Sequence, residues 1–199
     1  FSKMIEGIDW PLAVRSSSLL EDSSHQPFAG VYATYMLAND HQDSEVRLSR
    51  LLEAVKLVYA STYHRAAKSY VNATPSTIED ERMAVVIQEL IGDEVNGRFY
   101  PIISGAARSH NHYPVEPLLP EDGIAAICIG LGRQVATGGK CLRYSPGQPH
   151  RIHQFHNNES TLDTSQRTFF AIPMRQESGS VHPSEEENLL KLGLKEAEQ

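Results

Sequence analysis

The sequence lacks any run of about eighteen apolar residues, the length that a helix needs to cross a bilayer. We therefore expect no membrane span. It contains 18 Lys and Arg against 25 Asp and Glu, which gives a net charge of −7. Binding to a nucleic acid requires a concentration of cationic side chains, so we also expect no nucleic-acid partner.

Cysteine is scarce, since only Cys128 and Cys141 are present. Both lie in apolar, strand-like segments, which favours two buried free thiols over a disulfide or a metal site. Such cysteine usage fits a reducing cytoplasm. The sequence also lacks an initiator methionine, and Phe1–Glu6 lacks the apolar region of a signal peptide. We therefore expect a cytoplasmic protein and a fragment of a longer chain.

What remains is the composition of a soluble globular protein, with 199 residues of which 40% are apolar and 22% charged. A chain of this length can bury a hydrophobic core and is expected to form one domain, or one domain and part of a second.

The most distinctive stretch begins at Pro11 and is centred on Arg15. Leu12–Val14 predicts a short buried strand, and Arg15 follows at its exit, where three serines are expected to begin a polar loop. A guanidinium beside hydroxyls and backbone N–H groups is well suited to hold a phosphate. A structural ion pair between Arg15 and Glu21 or Asp22 accounts for the same residues equally well.

Three blocks in this region carry a family resemblance: Val14-Arg15-Ser16-Ser17, then Glu21-Asp22, then Phe28-Ala29-Gly30. Their order and spacing resemble the nucleotide-binding domain of the phosphoenolpyruvate synthase and pyruvate phosphate dikinase family. The resemblance implies an α+β fold of the ATP-grasp type, here its C-terminal part, with a mostly antiparallel sheet and packed helices. It further implies that ATP is bound and that Arg15 contacts its phosphates.

A second resemblance lies about seventy residues later. The apolar run Met83–Ile87 is followed by the polar pair Gln88 and Glu89, a pattern that predicts a buried strand entering an exposed linker. By resemblance, Gln88, Glu89, Leu90 and Ile91 form the linker that binds adenine. A flat base needs apolar faces and peptide groups at its edge, which such a linker offers. Taken alone, the run is more typical of plain sheet core than of a base-binding strand.

Periodicity predicts most of the remaining elements. Residues 44–71 carry the strongest helical pattern, with Asp43 or Ser44 as the N-cap. The pattern from 92 to 97 predicts the turn of a hairpin, and the tail from 182 to 199 predicts an amphipathic helix. Strands are predicted at the following ranges: 31–37, 99–104, 123–129 before a Gly-Leu-Gly turn, and 168–174.

One departure from the family concerns the metal. The related strand carries a glutamate where this chain has Ala125 or Ala126, and Gly-Leu-Gly is followed by Arg133 instead of an acid. The resemblance implies Mg²⁺ beside the ATP phosphates, but no ligand for it is identified. Three explanations stay open: other acids (Glu116, Glu121 or Asp122) hold the metal, Arg133 binds phosphate directly, or catalysis has been lost. Arg143 is a further candidate for a phosphate contact.

Two groups of histidines have a spacing that metal ligands can have. His110 and His112 are two residues apart, and His150, His153 and His156 recur at every third residue. Neither group has cysteine or clustered acidic partners, so solvated loop histidines are the favoured interpretation and no metal ligand is assigned.

The resulting hypothesis has residues 1–150 as an ATP-grasp-like nucleotide-binding region and residues 151–199 as its C-terminal extension. It is the ATP-binding part of a kinase-type transferase that passes a phosphoryl group from ATP to a histidine on another domain. The phosphohistidine and pyruvate or phosphoenolpyruvate domains would belong to the same longer chain. The alternative is a catalytically degenerate nucleotide-binding module with a regulatory or interaction role.

Overall fold

The structure is a computed structural model that describes residues 2–18, 30–71, 82–175 and 179–197. It divides the chain into two compact units. The first unit contains Phe1–Phe99 and Ile172–Leu190, and the second contains Tyr100–Ala171 and Lys191–Gln199.

The chain is α+β. Within the described ranges the helices are α1 (Ser2–Glu6), α2 (Ser44–Ser61), α3 (Arg65–Val71), α4 (Arg133–Ala136) and α5 (Asn158–Thr164). The strands are β1 (Leu12–Ser18), β2 (Thr34–Leu37), β3 (Met83–Glu89), β4 (Asp93–Val95), β5 (Arg98–Tyr100), β6 (Ser104–Arg108), β7 (Ile124–Cys128), β8 (Leu142–Tyr144), β9 (Thr168–Pro173) and β10 (Leu190–Gly193).

The first unit is built on a sheet of order β2-β1-β3 in which both neighbours pair antiparallel with β1. Its core combines strand and helix side chains, among them Leu12, Val14, Tyr35, Leu51 and Val58. Burying such aliphatic side chains is worth about 1.5–3 kcal/mol each, and it holds the helix against the sheet. The central strand β1 is therefore a rigid base for any residue that it exposes.

The second unit contains an antiparallel sheet of order β6-β7-β8. Phe169, Ala171, Cys128 and Cys141 are among its buried residues, and both cysteines are free thiols as predicted. A four-stranded sheet has the order β10-β9-β5-β4, and the chain passes between the units within β5, β9 and β10.

The long predicted helix at 44–71 is two helices. Asp43 is the N-cap, and its Oδ1 accepts a hydrogen bond of 2.9 Å from the Glu45 backbone N–H, as predicted. Three consecutive short-range bonds end α2, the first from the Thr62 N–H to the Tyr59 carbonyl at 3.2 Å. Buried Ser61 also accepts a bond of 3.1 Å from the Ala33 N–H, which ties the helix end to the chain that precedes β2.

The predicted helix at the C-terminus is wrong. The described part of that segment has two 3₁₀ turns, at Glu185–Asn188 and Leu194–Ala197, with strand β10 between them. Leu190 and Leu192 are two residues apart and point the same way along a strand, whereas Gly193 weakens a helix. The predicted strand at 31–37 is shorter, and the strand predicted at 99–104 is divided, because Pro101 separates β5 from β6.

Candidate functional site

The two stretches singled out in the sequence lie on neighbouring strands. In the pairing of β1 with β3, Arg15 is opposite Val86 and Ala13 is opposite Gln88. Arg15 Nε donates a hydrogen bond of 3.1 Å to Gln88 Oε1, across 73 positions of sequence. Both side chains are exposed, so the contact lies on an open face of the first unit.

Arg15 keeps most of its hydrogen-bonding capacity. Besides the bond to Gln88, its Nη1 donates to the Ser16 carbonyl at 3.2 Å. A guanidinium has five N–H donors in a planar fork, so several donors remain for an anion. The alternative partners Glu21 and Asp22 lie outside the described residues.

The serines that follow Arg15 are not in a loop. Ser16, Ser17 and Ser18 are the last residues of β1 and pair with Val85, Ala84 and Met83 of β3. The ladder with β3 extends the strand, and it leaves Ser16 and Ser18 buried. The hydroxyls on which the polar-loop prediction depended therefore face the interior at these two positions.

The predicted linker is shorter than expected. Gln88 and Glu89 are the last two residues of β3, and the Leu90 N–H still donates to the Pro11 carbonyl at 2.9 Å. Only Leu90–Gly92 remain between β3 and β4. Ile91 is 76% exposed, so this short linker offers an exposed apolar side chain together with its own peptide groups. That combination is what a flat base needs.

Arg143 lies in the second unit, on β8. Its backbone N–H donates to Gln154 Oε1 at 2.9 Å, and its Nη2 donates to the Gly139 carbonyl at 3.3 Å. In the sheet it is directly opposite Ala126 of β7, and residues directly opposite in an antiparallel pair share a face.

The residues around this strand do not fit a divalent cation. The row across the sheet at Ala126 has Ala106 on one side and Arg143 on the other, and alanine supplies no oxygen ligand. The Arg133 guanidinium lies over the Phe170 ring, 5.9 Å from its centroid. Mg²⁺ requires oxygen ligands, usually carboxylates, and two alanines and a cation oppose it.

The nearby acids do not form a replacement site. Asp122 Oδ2 accepts hydrogen bonds of 2.8 Å from the Leu119 N–H and from Gln148 Nε2, so this carboxylate holds two loops together. Glu116 and Glu121 are exposed. Nowhere in the described ranges do three or more His, Cys, Asp or Glu side chains come together in a way that could hold a metal ion.

The Gly-Leu-Gly turn after β7 is confirmed. Gly130 and Gly132 have φ values of 85° and 74°, in the region that favours glycine. The Gly130 N–H donates to the Pro101 carbonyl at 3.2 Å, and the Leu131 N–H donates to the Phe170 carbonyl at 3.1 Å. The turn is thus fixed to the strand that carries Phe170.

One polar group was missed by the sequence reasoning. Arg175 follows β9 with a φ of 62°, and its backbone N–H donates to the Asp40 carboxylate. Its Nη2 forms an ion pair of 2.9 Å with Glu94 Oε1. A cation directly after an apolar strand is the same signal that singled out Arg15, and it could have identified Arg175.

Comparison with known proteins identifies the family of this chain. Residues 1–198 match the family described as pyruvate phosphate dikinase, AMP/ATP-binding domain. The chain belongs to this family. The resemblance inferred from Val14–Gly30 is confirmed.

Two relatives are similar to parts of the chain. Phosphoenolpyruvate synthase of Aeropyrum pernix is 31% identical over 136 residues, which cover 67% of this chain and 14% of that protein. An uncharacterized phosphotransferase of Bacillus subtilis, YvkC, is 34% identical over 129 residues, which cover 64% of this chain and 13% of that protein. The chain therefore spans about one seventh of the length of these relatives. Within its described part, no helix combines the length and the apolar character needed to cross a membrane.

Proposed function

We propose that this chain is the ATP-binding part of a phosphotransferase similar to phosphoenolpyruvate synthase and pyruvate phosphate dikinase. The match over residues 1–198 to an AMP/ATP-binding domain supports nucleotide binding, and the names of the two relatives support phosphoryl transfer. The fold that goes with this proposal is of the ATP-grasp type, with residues 1–150 as the nucleotide-binding region and 151–199 as its extension. The expected compartment is the cytoplasm.

The observation that carries the proposal is the contact between Arg15 and Gln88. This hydrogen bond connects Arg15, the predicted phosphate contact, to Gln88 near the end of β3. Strand β3 leads directly into the predicted adenine linker. Gln88 accepts a hydrogen bond from Arg15 Nε, and this bond orients the guanidinium. The donors at the other end of the guanidinium stay available for phosphate oxygens. Leu90 and Ile91 would contact the base. Gln88 and Glu89 are the last residues of β3 and would hold this linker in place.

In the proposed reaction, the phosphoryl group of ATP passes to a histidine on another domain of the longer chain. Phosphoryl transfer of this kind depends on positioning and charge stabilisation more than on a protein nucleophile. Arg15 would hold the phosphates, and Arg143 is a further proposed phosphate contact. Phosphohistidine and pyruvate or phosphoenolpyruvate domains are the proposed partners.

Substitution of Arg15 tests the proposal. In Arg15→Ala, calorimetry should show ATP binding weakened by about 1–3 kcal/mol, the value of a charged hydrogen bond, with Arg15→Lys in between. Arg65→Ala is the matched control, because Arg65 is an exposed arginine of the same unit at the start of α3. ATP affinity that is the same in Arg15→Ala and Arg65→Ala would remove Arg15 from the site.

A second candidate function is a nucleotide-binding module that no longer catalyses phosphoryl transfer. The row Ala106–Ala126–Arg143 favours it, because this row lacks the acid that the family resemblance implies. The two candidates are separated in the full-length protein by the formation of phosphohistidine from ATP. A labelled histidine supports the enzyme, and ATP binding without labelling supports the module.

A further inference from the structure

A cavity of about 230 Å³ is lined by residues that belong to the second unit, whereas Arg15 and Gln88 belong to the first. Val115, Leu118 and Ile124 give it an apolar floor. Ile124 is two residues before Ala126 on β7, so it shares the sheet face on which Arg143 lies. Pockets for drug-sized ligands span roughly 300–1,000 Å³, so this one suits a smaller molecule.

The charge of the cavity is positive. Two arginines, Arg143 and Arg151, line it, and no aspartate or glutamate does so among the residues that the structure describes. The Arg151 side chain makes no hydrogen bond or ion pair to any residue in the described ranges. Two guanidiniums without a carboxylate beside an apolar floor lack the anion that would normally balance them.

The polar wall is held in place by hydrogen bonds. Gln154 accepts from the Arg143 N–H at 2.9 Å, and its Nε2 donates to the carbonyls of Cys141 and Thr164 at 2.9 and 3.1 Å. Buried Asn111 uses its Oδ1 to accept from the Tyr113 N–H at 3.0 Å, so its amide nitrogen remains as a donor. The wall is thus preformed and offers donors, which keeps the ordering cost of binding low.

We propose that this cavity binds a small organic carboxylate with an apolar body, as a second ligand in addition to the nucleotide. The carboxylate would accept from Arg151 and Arg143, and the apolar body would cover Leu118 and Ile124. Inorganic phosphate would leave the apolar floor uncovered, and a neutral molecule would leave both guanidiniums unpaired. Only the statement that the carboxylate is a second ligand rests on the proposed function.

Phenylacetate is the probe, and phenylacetamide is its neutral counterpart. In calorimetry without nucleotide, the acid should bind at least about tenfold more tightly than the amide, because charged hydrogen bonds are lost in the amide. Arg151→Ala should weaken phenylacetate binding about tenfold, and Arg151→Lys less, since the ammonium keeps the charge without the fork. Arg167→Ala is the control, since Arg167 is an exposed arginine of the same unit outside the cavity.

Equal affinity for phenylacetate and phenylacetamide would overturn the inference, and so would no binding of either. An effect of Arg167→Ala as large as that of Arg151→Ala would also overturn it. ATP affinity is measured on the same samples. Arg151→Ala should leave it unchanged, and a protein that binds phenylacetate but no ATP contradicts the proposed function alone.

Discussion

At the scale of single residues, the proposed role of Arg15 depends on its position in β1. It is exposed between the buried neighbours Val14 and Ser16, so the strand fixes its backbone while its side chain stays in solvent. The type of this residue was readable from the sequence, but its position was not, because Arg15 was predicted at the exit of the strand and lies within β1. Its partner Gln88 was predicted to belong to the same site, but the bond between them depends on strand register, which local pattern does not give.

Cys128 offers a test of burial in the second unit. Burial raises the pKa of its thiol above the ordinary value of 9.0, with hydrogen bonds from the Val135 and Gly132 backbone acting in the opposite direction. A raised pKa in the folded state means that its contribution to stability is complete below about pH 9 and is lost as pH rises through the folded pKa.

We therefore expect the free energy of unfolding of the native protein to fall, relative to that of Cys128→Ala, as pH rises above 9. Urea unfolding at several pH values from neutral to alkaline measures this difference. The comparison cancels the ionisation of Tyr35, whose pKa is also raised by burial and by Glu185. Parallel pH profiles for the two proteins would contradict the prediction.

At the scale of elements, hydrophobic periodicity predicted the features that depend on neighbouring residues and missed those that depend on distant segments. It placed the N-cap at Asp43 because the cap acts within three residues. It continued the helix through 62–64, whereas α2 ends at Ser61, a residue that also accepts a bond from the Ala33 N–H of a distant segment. The same limit explains the tail, where pairing of β10 in a sheet outweighs the clustered leucines.

The Gly-Leu-Gly turn is tested with a matched pair of glycines. A Cβ at Gly130 would lie 2.8 Å from the Phe170 carbonyl oxygen, whereas one at Gly138 would meet nothing within 4 Å. Both glycines have positive φ, 85° and 72°, so alanine is strained in each backbone to a similar extent.

Gly138→Ala should cost about 1–2 kcal/mol in the free energy of unfolding, the penalty of the left-handed conformation. Gly130→Ala should cost about 1–3 kcal/mol more, because the added methyl group also overpacks the turn against β9. Chemical denaturation of both variants measures the two values. Equal losses would show that close approach to Phe170 does not matter.

At the scale of the whole molecule, the sequence identified the family and most of the candidate residues but not their distribution. Arg15 and Gln88 belong to the first unit and Arg143 to the second. Residues 172–190 return to the first unit after 72 residues in the second, and no local pattern indicates such a return. A motif can be recognised from its spacing alone, whereas the division of a chain depends on long-range packing.

The misfit between this chain and a divalent cation leads to a prediction for binding. ATP affinity should change by less than about twofold between buffer with Mg²⁺ and buffer with EDTA, because the described residues of the second unit offer arginines where a cation needs carboxylates. Calorimetry under the two conditions measures the change. Binding that disappears in EDTA, and is insensitive to Glu121→Gln, would require metal ligands elsewhere in the chain.

The central claim is that Arg15, oriented by its hydrogen bond to Gln88, binds the phosphates of ATP. A double-mutant cycle in ATP binding tests it most directly, with Arg15→Ala, Gln88→Leu and the combined variant. Because Gln88 is expected to act through Arg15, its loss should weaken binding in the native protein and have little further effect once Arg15 is alanine. Additive losses would contradict the orienting role of Gln88, and an Arg15→Ala protein that binds ATP as tightly as the native one would contradict the claim itself.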